Sequence, residues 1–372
     1  MAAHSTSAPL RNRRGALRAT IAGAAVAALA VSGVPAAHAA GALRLEVDGT
    51  KDLPDASPGD GRCRAADGTC TLRAAVMEAD SNPGSTIVVP SGHFTLTIPP
   101  PLGRAFGDYT LGDAASGNLK IMAPTTITGA GPESTVIDGG RLDRVFTVLR
   151  RTTISGVTVT GGESAPTASP YNYYGGGGVL NTSELTMERV RITGNTSTFG
   201  GGVFNIPFSS FTLRDSLVDH NQAGEAGGIR FDWQGLVERS TISHNRVVNP
   251  HDPSRPGELA GLGGGIDARI LGLDIVDSKI IDNYADDGGG GLNITLGYLP
   301  DPGAPVSDAI GSIAGRIRLK NSIVAGNTTK AGPGDCRAVL ARYESLGGNT
   351  DSDRSCRLTR PTDHPGGWIG VP

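Results

Sequence analysis

Between residues 177 and 292 a pair of glycines followed by one aliphatic residue recurs five times, as Gly177-Gly178-Val179, Gly201-Gly202-Val203, Gly227-Gly228-Ile229, Gly264-Gly265-Ile266 and Gly290-Gly291-Leu292. A second signal interleaves with it: a β-branched run closes on asparagine at Asn195, Asn221, Asn245, Asn283 and Asn327. Two signals in fixed order, mostly 24 to 26 residues apart, describe one supersecondary unit used repeatedly. One such unit cannot bury its apolar face alone, so neighbours stack and a solenoid is expected. Glycine and proline together make up 79 of 372 residues, a share that without a period would indicate disorder. Here the glycines are periodic and alternate with β-branched runs, which argues for order.

Within each unit, Leu185-Thr186-Met187-Glu188-Arg189-Val190-Arg191-Ile192 has counterparts beginning at Phe211, Leu236, Leu273 and Ile317. Apolar residues alternate, a polar step breaks the run, and an apolar pair resumes, which reads as two strands with a corner between them. The glycine pair opens a third strand. Three short strands per turn predict an all-β, right-handed parallel β-helix solenoid with a short N-terminal capping helix, the hand following from the strong preference of parallel crossovers. Asparagine tolerates left-handed backbone angles, and its carboxamides can bond along a column at the strand spacing, so Asn195, Asn221, Asn245, Asn283 and Asn327 are assigned to structure.

The expected organisation is a signal peptide over 1–39, an N-terminal cap over 40–83, the β-helix over 84–330 and a C-terminal cap over 331–372. Arg11, Arg13, Arg14 and Arg18 precede an Ala/Val-rich stretch and a small-x-small site at Ala37-His38-Ala39, the pattern of secretory export. Arg13-Arg14 also loosely fits the twin-arginine route. Removing that segment takes the formal charge from −3 to −7. A mildly acidic chain without basic clusters is a poor nucleic-acid ligand, and no other stretch is long and apolar enough to span a membrane. Cys63, Cys70, Cys336 and Cys356 form one close pair near each end. Two local disulfides fit an exported chain, and a four-thiolate metal site is the alternative. Leu72, Ala75, Val76 and Ala79 share one helical face behind Thr71, which places the capping helix over Thr71–Asp80.

The run Asp67-Gly68-Thr69-Cys70-Thr71-Leu72-Arg73-Ala74-Ala75-Val76 resembles the CSLREA motif that opens many secreted bacterial β-helix proteins, with Thr71 in place of Ser and Ala74 in place of Glu. The glycine and asparagine repeats resemble those of the pectate-lyase-like superfold and of polymorphic outer-membrane proteins. The resemblance implies a β-helix and export, and implies no particular chemistry.

Several residues are candidates for function. If the aliphatic residue after each glycine pair points inward, its neighbour points out, giving the columns Leu180, Phe204, Arg230, Asp267, Asn293 and Thr182, Ile206, Asp232, Arg269, Thr295. Crossed pairs Arg230–Asp267 and Asp232–Arg269 would form a surface ladder, or a patch whose arginines hold sugar carboxylates. His220, His244 and Asp282, each just before a corner asparagine, could bind a metal or move protons, or merely occupy exposed corners. Asp286-Asp287 resembles the adjacent acids of β-helix polygalacturonate hydrolases, but the chain has no Gly-His-Gly. Asn349-Thr350-Asp351-Ser352-Asp353 has calcium-loop spacing without its glycine or distal glutamate, and reads as a turn. Tyr171, Tyr173, Tyr174, Phe204, Phe208, Phe231 and Trp233 concentrate aromatics that either stack on sugars or fill the core.

The leading expectation is a secreted monomeric scaffold that binds polysaccharide or a cell-surface partner through Arg230, Asp232, Trp233, Asp267 and Arg269, with no metal or cofactor. A lyase or hydrolase on acidic polysaccharide, with Ca²⁺ if a lyase, is the second reading. A structural or adhesin-like protein is the third.

Overall fold

A computed structural model describes residues 41–101, 113–164, 175–248, 262–269, 272–295, 315–339 and 341–367. The chain divides into Met1–His38, which lies outside the described residues, and Ala39–Pro372. The second unit is an all-β right-handed parallel β-helix with a single helix among the described residues. A representative rung runs Val179–Asn181, Glu184–Glu188, Arg191–Thr193 and Thr196–Phe199 before the next begins at Val203. Stacked rungs generate four sheets of 8, 10, 10 and 7 strands, in that order around the rung. Among the described residues every strand pairing is parallel except Thr328–Thr329 with Gly332–Pro333, and one isolated antiparallel bridge joins Asp55 and Ala65.

The six rungs from Phe146 to Thr329 thus have four strands, not three. The fourth covers Glu163–Ser164, Thr196–Phe199, Gln222–Glu225, Arg246–Val247, Tyr284–Ala285 and Thr328–Thr329. These segments are two to four residues long and bury little, so they carry no alternation to separate a strand from a loop.

The core follows the alternation. Val179, Val203, Ile229, Ile266 and Leu292 stack in one buried column, and Met187, Leu213, Val237, Ile275 and Leu319 in a second. Each side chain of this kind contributes about 1.5–3 kcal/mol on burial. Ile229 pairs with Ile266 although the step between them is 37 residues, because the extra residues enter at a corner before the glycine pair. Gly235 takes a core-facing position where a Cβ would lie 2.2 Å from the Phe231 ring. The absent side chain makes room for Phe231, whose ring sits 5.8 Å from that of Phe211.

The corners correct one expectation. The left-handed residue is not the asparagine but the one before it: Gly194, His220, His244, Asp282 and Gly326 have φ of 54–68°. The asparagine instead turns its carboxamide inward. The Nδ2 groups of Asn195, Asn221, Asn245 and Asn283 each donate to Oδ1 of the next asparagine at 3.0 Å, and Asn327 donates to Asp335 at 2.9 Å. A serine ladder lines the corner between the second and third sheets. The backbone N–H groups of Val190, Ser216, Ser240 and Ser278 donate to Oγ of Ser216, Ser240, Ser278 and Ser322 at 3.1–3.2 Å, and Ser322 donates to Asn349 Oδ1 at 2.9 Å.

The helix Leu72–Ser81 begins at Thr71, whose hydroxyl accepts from Ala74 N–H at 3.1 Å. Its apolar face joins the main core and closes the first rungs. Arg73 is fully buried and forms a two-point pair with Asp52, and it also donates to the carbonyls of Ala114 and Gly117. Glu78 accepts from Gly59 and Gly61 N–H at 2.6 and 2.7 Å, which ties the preceding loop to the helix. The disulfides are Cys63–Cys70 and Cys336–Cys356.

Asp80 anchors the end of this helix by accepting from Met122 and Ala123 N–H. Its second oxygen is buried without a partner, and burial, with Asp113 nearby, pushes its carboxyl up to about 7. The unfolded carboxyl titrates near its ordinary value, so folding retains a proton between that value and 7. Stability therefore falls as pH rises through this window and levels off above it. Relative to Asp80→Asn, the wild type should lose about 2.5 kcal/mol between pH 5 and pH 8. Urea unfolding at the two pH values checks this, and parallel pH profiles would refute it.

Candidate functional site

The column expected to face outward from the first sheet is buried. Leu180, Phe204 and Ile206 form a second, small apolar cluster with Phe199 packed against it. Farther along the same face, Arg230 lies directly under Asp267, as the repeat predicted. Both are buried, and the crossed ion pairs do not form. Arg230 bonds Asp232, just past the end of its own strand, at 2.8 Å and Glu225 of the fourth sheet at 2.8 Å. Arg269 bonds Glu225 at 2.6 Å and lies 3.4 Å from Asp267. Glu225 therefore joins the two rungs. Burial raises its pKa against the pull of both arginines. The Arg230 guanidinium also lies 4.6 Å from the Phe199 ring centre and 5.0 Å from that of Phe204. A guanidinium enclosed by two rings and two carboxylates has no face left for a ligand, so Arg230 and Asp267 act within the fold.

The histidine column is at the surface. The His220 and His244 rings stack at 5.2 Å and 4° on adjacent rungs. His220 Nδ1 lies 2.8 Å from Asp219, a buried carboxylate also gripped by Arg191. Burial disfavours the Asp219 anion, but these hydrogen bonds outweigh it and hold its carboxyl below the usual range. Parallel rings do not converge on one ion, and no group of three His, Cys, Asp or Glu side chains among the described residues could hold a metal. Asp286 accepts from the Tyr284 hydroxyl at 3.0 Å, while Asp287 is exposed and 3.5 Å from Arg337. In the calcium-like run, Thr350–Asp351 is a strand, and Asp351 and Asp353 accept from the backbone N–H groups of Cys356 and Ser355.

The aromatic cluster splits. Phe204 and Phe231 fill buried positions, and Tyr171, Tyr173 and Tyr174 lie outside the described residues. Phe208 is 84% exposed, with φ of 66° in the left-handed region that bulky side chains avoid. Its ring centre is 4.7 Å from that of Trp233 on the next rung. The pair stands where the first sheet turns into the second. Two residues beyond Phe208 and one beyond Trp233, the chain enters a surface groove of about 360 Å³. Outward positions of the second sheet line it: Ser210, Thr212, Gln234, Leu236, Gly272, Asp274 and Arg318. Only Trp233 of the sequence-derived ligand candidates borders this groove. The lining residues went unread because the repeat directs attention to conserved-looking corners, whereas outward positions vary from rung to rung. Alternation around the core-facing Phe211, Leu273 and Ile317 would have marked them.

Comparison of the sequence with protein-family models and with curated proteins finds no match. A solved structure described as "Crystal structure of pectate lyase Pel9A" aligns over 87% of this chain and 83% of its own length, at a TM-score of 0.39 and 15% identity. That likeness is too low to bear on chemistry, and the fold rests on the four sheets themselves.

Proposed function

We propose that this chain is an exported β-helix scaffold that binds glycan through the groove on its second sheet. The observation that carries the reading is the Phe208–Trp233 pair at the groove's rim. An exposed aromatic in a disfavoured backbone conformation costs about 1–3 kcal/mol and persists where the surrounding structure holds it for a purpose. Aromatic faces against the C–H faces of sugars, with hydroxyl and amide groups beside them, are a general means of holding carbohydrate. Both disulfides and the Arg- and Ala-rich first 39 residues support export.

Binding fits the groove better than cleavage. Inverting or retaining hydrolysis uses two carboxyl groups across the scissile bond. The described lining holds one, Asp274, and Arg318 engages both of its oxygens. Trp233→Ala should weaken retention on a glycan array by about tenfold or more, with the unfolding midpoint little changed. New reducing ends or unsaturated products from polysaccharides, with or without Ca²⁺, would replace binding by catalysis. Equal retention of wild type and variant would remove the groove from consideration.

A further inference from the structure

We infer that the groove takes a neutral, hydroxyl-rich glycan laid along the solenoid axis, an inference that rests on the glycan-binding reading and names its ligand class. The first observation is charge. Asp274 and Arg318 are the two charged residues of the lining, and they satisfy each other through a two-point pair. A guanidinium with its fork already on a carboxylate does not grip a second one, and an incoming anion would also meet Asp274. The arginines flanking the floor are likewise committed: Arg214 lies 2.8 Å from Glu238, and Arg316 lies 3.6 Å from Glu344. What remains to contact a ligand is Ser210, Thr212, Gln234 and the apolar Leu236. Hydroxyl and amide groups both donate and accept, which matches the hydroxyls of a neutral sugar.

The second observation is direction. The lining comes from four successive rungs, with Ser210 paired to Gln234, Gln234 to Gly272, and Asp274 to Arg318. At about 4.8 Å per rung the floor extends about 14 Å along the axis, the length of about three to four sugars in an extended chain. Phe208 and Trp233 are also displaced along the axis, by one rung. Gly272 keeps the middle of the floor open: a Cβ there would find no atom within 4 Å. A ligand crossing the sheet would leave most of this lining untouched.

The test is isothermal titration of the purified protein with neutral cello-, manno- and xylo-oligosaccharides, from disaccharide to hexasaccharide, beside oligogalacturonides of the same lengths. Binding should favour a neutral series, strengthen to about the tetrasaccharide and then level off, and change little with added salt. Gly272→Leu, which adds bulk into open space, should reduce tetrasaccharide affinity to the level of a disaccharide while leaving the unfolding midpoint in place. Tighter binding of the acidic series, or a Gly272→Leu variant that binds as wild type, overturns this inference and leaves glycan binding standing. No binding of any oligosaccharide overturns both.

Discussion

Arg230→Met is expected to cost about 3–5 kcal/mol of folding stability at pH 7, more than any surface change in this chain. Arg230 is enclosed by Phe199, Phe204, Glu225 and Asp232, and the network holds three acids, Glu225, Asp232 and Asp267, against two arginines. Methionine fills a similar volume but leaves three buried acids facing Arg269 alone. The loss must depend on pH. Burial already raises the Glu225 carboxyl against the pull of both arginines, and removing Arg230 takes away one of those pulls, so the variant takes up a proton on folding and recovers stability as pH falls. The deficit should be clearly smaller at pH 4.5 than at pH 7, and Glu225→Gln added to Arg230→Met should restore part of it at neutral pH. Urea denaturation of the single and double variants at both pH values decides the matter. A deficit below about 1 kcal/mol, or one independent of pH, would show that the network is not held by charge pairing.

This network also shows how far the sequence could be read. The repeat placed Arg230 beside Asp267 correctly, because strand register is set by the inward column of Ile229 and Ile266. It failed on exposure, because alternation says which face of the first sheet a residue occupies and nothing about what covers that face. The cover comes from the fourth sheet, whose strands bury single small side chains such as Ala223 and Ala285 and leave no periodic trace. Glu225, the residue joining two rungs, was invisible for the same reason. The serine ladder was legible in principle, since Ser216, Ser240, Ser278 and Ser322 recur at one offset in the repeat. The groove was harder: its lining varies from rung to rung, and its rim depends on Phe208 and Trp233 meeting across two corners.

The scaffold and the candidate site therefore draw on different parts of the same rung. Corners and inward columns repeat because each must match its neighbour above and below. Outward positions of the second sheet are free of that demand, so they can differ from rung to rung without disturbing the stack. The exceptions are residues such as His220, His244 and Asp282, whose variety at a corner reflects tolerance of a left-handed backbone at an exposed position.

The corner ladder should also be sensitive to single substitutions. Asn245 Oδ1 accepts from both the backbone N–H and the Nδ2 of Asn221, at 3.1 and 3.0 Å. Its own Nδ2 donates to Asn283 Oδ1 and to the Val218 carbonyl, at 3.0 and 2.9 Å. Asn245→Ala removes all four bonds at a buried site, where a stranded donor costs about 1–3 kcal/mol. Asn221 Nδ2 keeps the Ile192 and Asp219 carbonyls, so the stranded donor is the Asn221 backbone N–H, and a loss of about 1–3 kcal/mol is expected. Asn245→Asp keeps the accepting oxygen but sets an ionised carboxylate against Asn283 Oδ1 and the Val218 carbonyl, where no donor remains. Its deficit should exceed that of alanine at pH 7 and shrink in acid, where a protonated carboxyl can donate again. Asn195→Ala provides the comparison near the ladder's beginning, where, among the described residues, Oδ1 accepts from Gly162 N–H alone. It should cost less than Asn245→Ala in the same urea titration, and equal losses at the two positions would show that the corner is held by its backbone rather than by its carboxamides.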